Sequence, residues 1–155
     1  MIAAISSLST SGAIELARAA EANGCRGLMI LPPYVYQGSW EEMRTHFAAC
    51  LGATGLSSML YNNPIAYGTD VAPEQVVELV ESNPNLHAGK ESSGDIRRIT
   101  ELRRLLGDRI AVFAGIDDLI VEAVDAGATG WIAGLVNALP VESVRLFDLA
   151  RGGDR

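Results

Sequence analysis

A repeat constrains this chain more than any other feature. Six short apolar runs occur at Ile2–Ser6, Gly27–Leu31, Ser57–Tyr61, Leu86–Lys90, Ile110–Ala114 and Thr129–Ala133. Several are apolar at consecutive positions, as parallel strands covered on both faces are. Each run gives way to a stretch with helical spacing. Thr10 to Asn23 places Ile14, Leu16, Ala17 and Ala20 along a helix, with Gly24 as its stop. Ser39-Trp40-Glu41-Glu42 has the spacing of a capping box. Pro73 stands where a first-turn proline is tolerated, ahead of Gln75–Glu81. Ile96–Leu106, Leu119–Ala126 and Val141–Arg151 complete the series. Strand followed by helix, six times over, predicts a parallel α/β fold.

Composition bounds the rest. The chain has 155 residues, read as a single domain over 1–155, and is 48% hydrophobic with 20% charged residues, enough apolar content for a core. The net charge of −7 comes without a basic face, which argues against a nucleic-acid partner. No apolar run approaches the ~20 residues of a membrane span. Met1 to Ser11 lacks the basic start of a signal peptide. Cys25 and Cys50 fit no CxxC or zinc spacing and read as buried free thiols, in keeping with a cytoplasmic location. His46 and His87 have no ligand-spaced partner, so no metal is expected.

Two architectures satisfy the repeat: an open doubly wound sheet and a barrel. The dinucleotide pattern GxGxxG is absent, and Gly89-Lys90-Glu91 places Glu where a phosphate loop needs Ser or Thr. That favours the barrel. A closed (β/α)₈ barrel needs eight strands and ~250 residues, so six units are either an open sheet or a barrel with a piece missing.

In both architectures ligands meet the carboxyl ends of the strands. The third run ends in Tyr61 and the fourth in Lys90, 29 positions and one βα unit apart. Lys90 has two readings: a structural cation paired with a carboxylate such as Glu91, or an amine held neutral by desolvation and ready to attack a ketone. Tyr61 is either a packing residue at the sheet edge or a proton shuttle. Asp117 and Asp118 read as helix caps or as a carboxylate pair. Gly127-Ala128-Thr129-Gly130 reads as a tight turn or a phosphate cradle.

Taken together, Tyr61-Asn62-Asn63-Pro64, Gly89-Lys90-Glu91-Ser92-Ser93-Gly94-Asp95, Ala114-Gly115-Ile116-Asp117-Asp118 and Pro32-Pro33-Tyr34 resemble the dihydrodipicolinate synthase / N-acetylneuraminate lyase family in order and spacing. The resemblance implies a partial (β/α)₈ TIM barrel, six βα units corresponding to strands 3–8 of the family. It implies that Lys90 forms a Schiff base with a 2-keto acid and that Tyr61 shuttles protons. It also implies that Ile132 and Tyr34 line the substrate site, and that no metal or organic cofactor takes part. By the resemblance, Met1 falls at the start of the family's third strand. The first two βα units, their carboxylate-gripping loop and the C-terminal helices are then expected to lie outside the chain.

Departures from the family narrow the activity. Ala66 stands where dihydrodipicolinate synthases carry an arginine, and Val35 where they carry a second tyrosine. The resemblance therefore leans towards catabolic dehydratases and deaminases, such as the 1-pyrroline-4-hydroxy-2-carboxylate deaminase. The competing expectation is a catalytically silent fragment. With two strands missing, the edges Ile2–Ser6 and Thr129–Ala133 are left exposed, and homo-oligomerisation or self-association through them is expected.

Overall fold

The computed structural model describes residues 1–153. Six strands form one sheet: β1 (Ile2–Ile5), β2 (Gly27–Ile30), β3 (Ser57–Asn62), β4 (Leu86–Glu91), β5 (Ala111–Ala114) and β6 (Gly130–Trp131). Every neighbouring pair is parallel and the order is sequential, β1 to β6. The chain is thus a partial (β/α)₈ barrel, with its two end strands unpaired along their outer edges.

Helices α1 (Thr10–Ala22), α2 (Trp40–Leu51), α3 (Pro64–Tyr67), α4 (Pro73–Ser82), α5 (Arg97–Leu106), α6 (Ile120–Asp125) and α7 (Pro140–Gly152) connect the strands. Their starts are written locally. Ser9 caps α1 by accepting the Gly12 N–H at 3.2 Å, and Gly24 follows the helix in the left-handed region at φ 79°. The Ser39 capping box is complete, with the Glu42 carboxylate accepting the Ser39 N–H at 2.8 Å and Ser39 Oγ accepting the Glu42 N–H. At α4 the Gln75 side chain accepts the Ala72 N–H at 2.8 Å, and Pro73 occupies the first turn.

The core lies between the sheet and its helices. Leu28, Ile30, Leu60, Leu86, Val112 and Ala114 point outward and are buried against helix residues including Phe47, Leu51, Leu79 and Ile99. Residues on the other face of the same strands are mostly covered less: Met29, Ala88 and Phe113 are half-buried, and Ile2 and Ala4 are exposed, although Met59 on this face is buried. Strands expected to be buried on both faces are therefore buried fully on one. Alternate residues of a strand face opposite sides, and among the described residues the helices lie on the convex side.

Three further details depart from expectation. The short α3 was not expected; Pro64 starts it and Gly68, at φ 65°, ends it. The sixth strand is shorter than Thr129–Ala133, although Thr129 N–H to Val112 O and Ile132 N–H to Ala114 O continue its ladder. Of the two cysteines, Cys50 is buried whereas Cys25 is only partly so. No helix among the described residues is long and apolar enough to cross a membrane.

Candidate active site

The register of β3 and β4 sets Tyr61 directly beside Lys90, and Asn62 beside Glu91. Strand alternation then sends the two pairs to opposite faces. On the concave face, Lys90 Nζ stands 4.2 Å from the centroid of the Tyr61 ring. Lys90 is the chain's one lysine, the other eleven basic residues being arginines.

On the convex face, Glu91 is buried and fully engaged elsewhere. One carboxylate oxygen accepts the Ser93 N–H at 2.6 Å, and the other accepts the Asn62 amide at 3.1 Å. Asn62 also donates to Asp70 and accepts the Val71 N–H at 3.0 Å, and Arg98 pairs with Asp70. Glu91 therefore braces the strand ends and their loops. Among the described residues no carboxylate forms an ion pair with Lys90, which removes the structural pairing that the sequence left open.

Ser92 lies two residues after Lys90, hence on its face. It is 1% exposed, and its hydroxyl has no hydrogen-bond partner. A Cβ at Gly115 would overlap Ser92 Oγ and come within 2.7 Å of Lys90 Cε. Gly115 is thus the gap on β5's far end that lets the Lys90 side chain and Ser92 lie where they do. Period-two spacing from Lys90 was the signal in the sequence for Ser92; Gly115 stood out only as part of the Ala114-Gly115-Ile116-Asp117-Asp118 motif, with no role attached.

An aromatic row leads away from the pair. Tyr67 meets Tyr61 edge-on at 5.9 Å between ring centroids, and Tyr34 meets Tyr67 at 6.0 Å. Two bonds clamp the loops that carry them: Thr69 Oγ1 to Pro33 O at 2.9 Å and Gln37 Nε2 to Gly68 O at 3.1 Å. Burial, and then the neighbouring Tyr61 and Tyr34, push the Tyr67 phenol above its ordinary value, so it stays neutral. Tyr34 is 37% exposed and is linked to Tyr61 through Tyr67. Ile132 is half-buried two positions after Gly130, on the face where Gly130 sits against the Phe113 ring. Since Phe113 pairs with Lys90 in register, Ile132 shares the concave face with the lysine, two strands away.

The remaining candidates resolve as structure. Asp117 accepts the N–H groups of Gly134 at 3.1 Å and Leu135 at 2.8 Å, capping the short 3₁₀ turn at Leu135–Asn137 rather than its own helix. Gly127, at φ 105°, makes the turn from α6 into β6. His46 is buried, 2.9 Å from Thr10 Oγ1 and 3.7 Å from Cys50 Sγ. Burial lowers its affinity for a proton and raises the Cys50 thiol to about 11. No three His, Cys, Asp or Glu side chains among the described residues gather as metal ligands would.

The model of the dihydrodipicolinate synthetase family matches residues 1–155. The chain belongs to that family. It is 36% identical over 154 residues to a 4-hydroxy-tetrahydrodipicolinate synthase of Pelobacter propionicus, covering 99% of this chain and 53% of that protein. It is 34% identical over 148 residues to a probable 5-dehydro-4-deoxyglucarate dehydratase of Saccharopolyspora erythraea, covering 94% of this chain and 47% of the relative. The solved 4-hydroxy-tetrahydrodipicolinate synthase of Methylacidiphilum fumariolicum SolV superposes with a TM-score of 0.94 at 33% identity, over 99% of this chain and 51% of that one. A prophage member of the family from E. coli K12, solved in complex with pyruvate, superposes at 0.92 with 26% identity. This family member thus spans about half the length of the relatives it matches.

Proposed function

We propose that the chain carries the reacting half of a Schiff-base-forming lyase acting on 2-keto acids, with dehydration or deamination of a catabolic substrate as its reaction. The observation that carries this reading is the chain's one lysine at the end of β4, its amine over the Tyr61 ring and, among the described residues, in no ion pair with a carboxylate. In this reading the neutral Lys90 amine adds to the C2 carbonyl, and the resulting carbinolamine loses water to leave a C=N bond. That imine draws electrons from the adjacent carbon, so bonds there break or form readily. Tyr61 moves the protons. Ile132 and Tyr34 line the path of the substrate's remainder. Neither a metal nor an organic cofactor is required by this chemistry.

Ala66, exposed on the short α3, offers no guanidinium for a second carboxylate. Condensation of pyruvate with aspartate semialdehyde is therefore not the reaction we assign. In this reading the protein works in the cytoplasm and associates with itself through the edges of β1 and β6.

Borohydride reduction in the presence of pyruvate tests the assignment. A reduced adduct mapping to Lys90, absent from Lys90→Ala, is expected. The same protein with no adduct at Lys90 under saturating pyruvate leaves the second reading, a catalytically silent fragment. One observation favours that reading: Lys90 is only half-buried, on an open concave face.

A further inference from the structure

Asn63 follows β3 and makes two hydrogen bonds. Its Oδ1 accepts the Ala66 N–H at 3.1 Å, capping α3, and its Nδ2 donates to the Tyr61 hydroxyl at 2.9 Å. The first bond settles the sense of the second. A backbone N–H can only donate, so the amide oxygen must face Ala66. Turning the amide over would set two donors against each other. Nδ2 therefore faces Tyr61, and since an amide nitrogen only donates, the Tyr61 oxygen must accept. The phenol's own proton is left pointing elsewhere, and among the described residues the Tyr61 hydroxyl donates to nothing.

The surroundings keep this arrangement in place. Tyr67, a neutral phenol, abuts Tyr61 edge-on from α3, and Lys90 covers the ring from β4. We infer that Asn63 is a positioning residue that holds Tyr61 as a proton donor to the carbinolamine formed at Lys90. The inference rests on the reading of Lys90 and Tyr61 given above. In the step that forms the imine, the carbinolamine C–O bond breaks and the nitrogen lone pair closes the C=N bond. The Tyr61 proton leaves with the hydroxyl as water. The products are a protonated imine and a phenolate, and Asn63 Nδ2–H is the donor already in place on that phenolate oxygen.

Asn63→Asp separates this role from the structural one. A carboxylate still accepts the Ala66 N–H and caps α3, but it offers Tyr61 an acceptor instead of a donor. The tyrosine doublet in ultraviolet resonance Raman spectra distinguishes a phenol oxygen that accepts from one that donates. The Tyr61 contribution is isolated by subtracting the spectrum of Tyr61→Phe. An acceptor signature is expected in the unsubstituted chain and a donor signature in Asn63→Asp. Asn63→Ser, which retains a cap but is too short to reach Tyr61, is expected to lose the acceptor signature and covers the case in which the carboxylate unfolds the turn. The rate of borohydride-trapped adduct is expected to fall at least about tenfold in Asn63→Asp, towards the roughly 10²–10⁴-fold loss of a missing proton shuttle.

A donor signature in the unsubstituted chain, or one that does not respond to either substitution, overturns the assignment of Asn63. An inverted signature with an unchanged trapping rate overturns its bearing on imine formation. Absence of any Lys90 adduct strikes the reading of Lys90 instead, and the Raman signature still decides how Asn63 holds Tyr61.

Discussion

The two faces of the sheet are made by the same six strands, yet they do different work. On the convex side Leu28, Leu86 and Val112 are at most 1% exposed beneath the helices. On the concave side their immediate neighbours Met29 and Phe113 remain half-open, and an open cavity of about 390 Å³ is lined by residues that include Ile2, Met59, Ala88 and Phe113. Lys90 and Tyr61 stand on this second side. The difference teaches that the chain's stability comes from the strand–helix interface, while its candidate chemistry lies on a surface that contributes little to stability. A half-barrel can therefore keep its reacting pair in register without enclosing it.

Substitutions on the two faces measure that division. Phe47→Ala, from a fully buried position under the convex side, is expected to cost about 3–5 kcal/mol through lost burial and the cavity left behind. Phe113→Ala on the concave side is expected to cost no more than about 1–2 kcal/mol, because much of the ring is already open and no closed cavity forms. Urea unfolding of both variants provides the measurement. Equal losses would mean that the concave face is packed in solution, by a second copy or by another segment.

A charge at the free edge probes that possibility directly. Ala4→Lys places an ammonium on the exposed face of β1. It is expected to shift light scattering towards the monomer while changing stability by less than about 0.5 kcal/mol. Scattering that does not move would locate self-association elsewhere, for instance at α7, where Val141 is 75% and Val144 59% exposed.

The smallest expected effect concerns pH and belongs to the convex side. Burial depresses the proton affinity of His46 in the folded chain, so the unfolded chain binds the proton more readily. The contribution of His46 to stability is present above its unfolded pKa of about 6.5 and declines as pH falls from there through the lower folded value. His46→Gln should flatten that part of the stability–pH curve, as followed by thermal melts from neutral to mildly acid pH. Persistence of the slope would assign it to another group.

Much of this molecule is legible without coordinates. The βα repeat, the caps at Ser39 and Pro73 and the break at Gly24 depend on interactions within a few residues, so their signals sit together in the chain. The Tyr61 and Lys90 contexts were equally readable, since each closes a strand and one βα unit separates them. By contrast, α3 was hidden because four residues carry no periodicity, and the turn that Asp117 caps was hidden because it begins 18 residues later.

The sequence by itself determined the parallel α/β order and the two residues at the strand ends, because local spacing encodes them; spacing left barrel and open sheet both standing, and the half-barrel followed from the family resemblance. Only the tertiary structure decided which face each residue took. Strand register put Lys90 over Tyr61 and turned Glu91 away to Asn62 and Ser93. It also showed that the concave side stays open. A one-residue change of register would exchange the two faces, and register is fixed by helix packing across the whole sheet, which no short stretch of sequence contains.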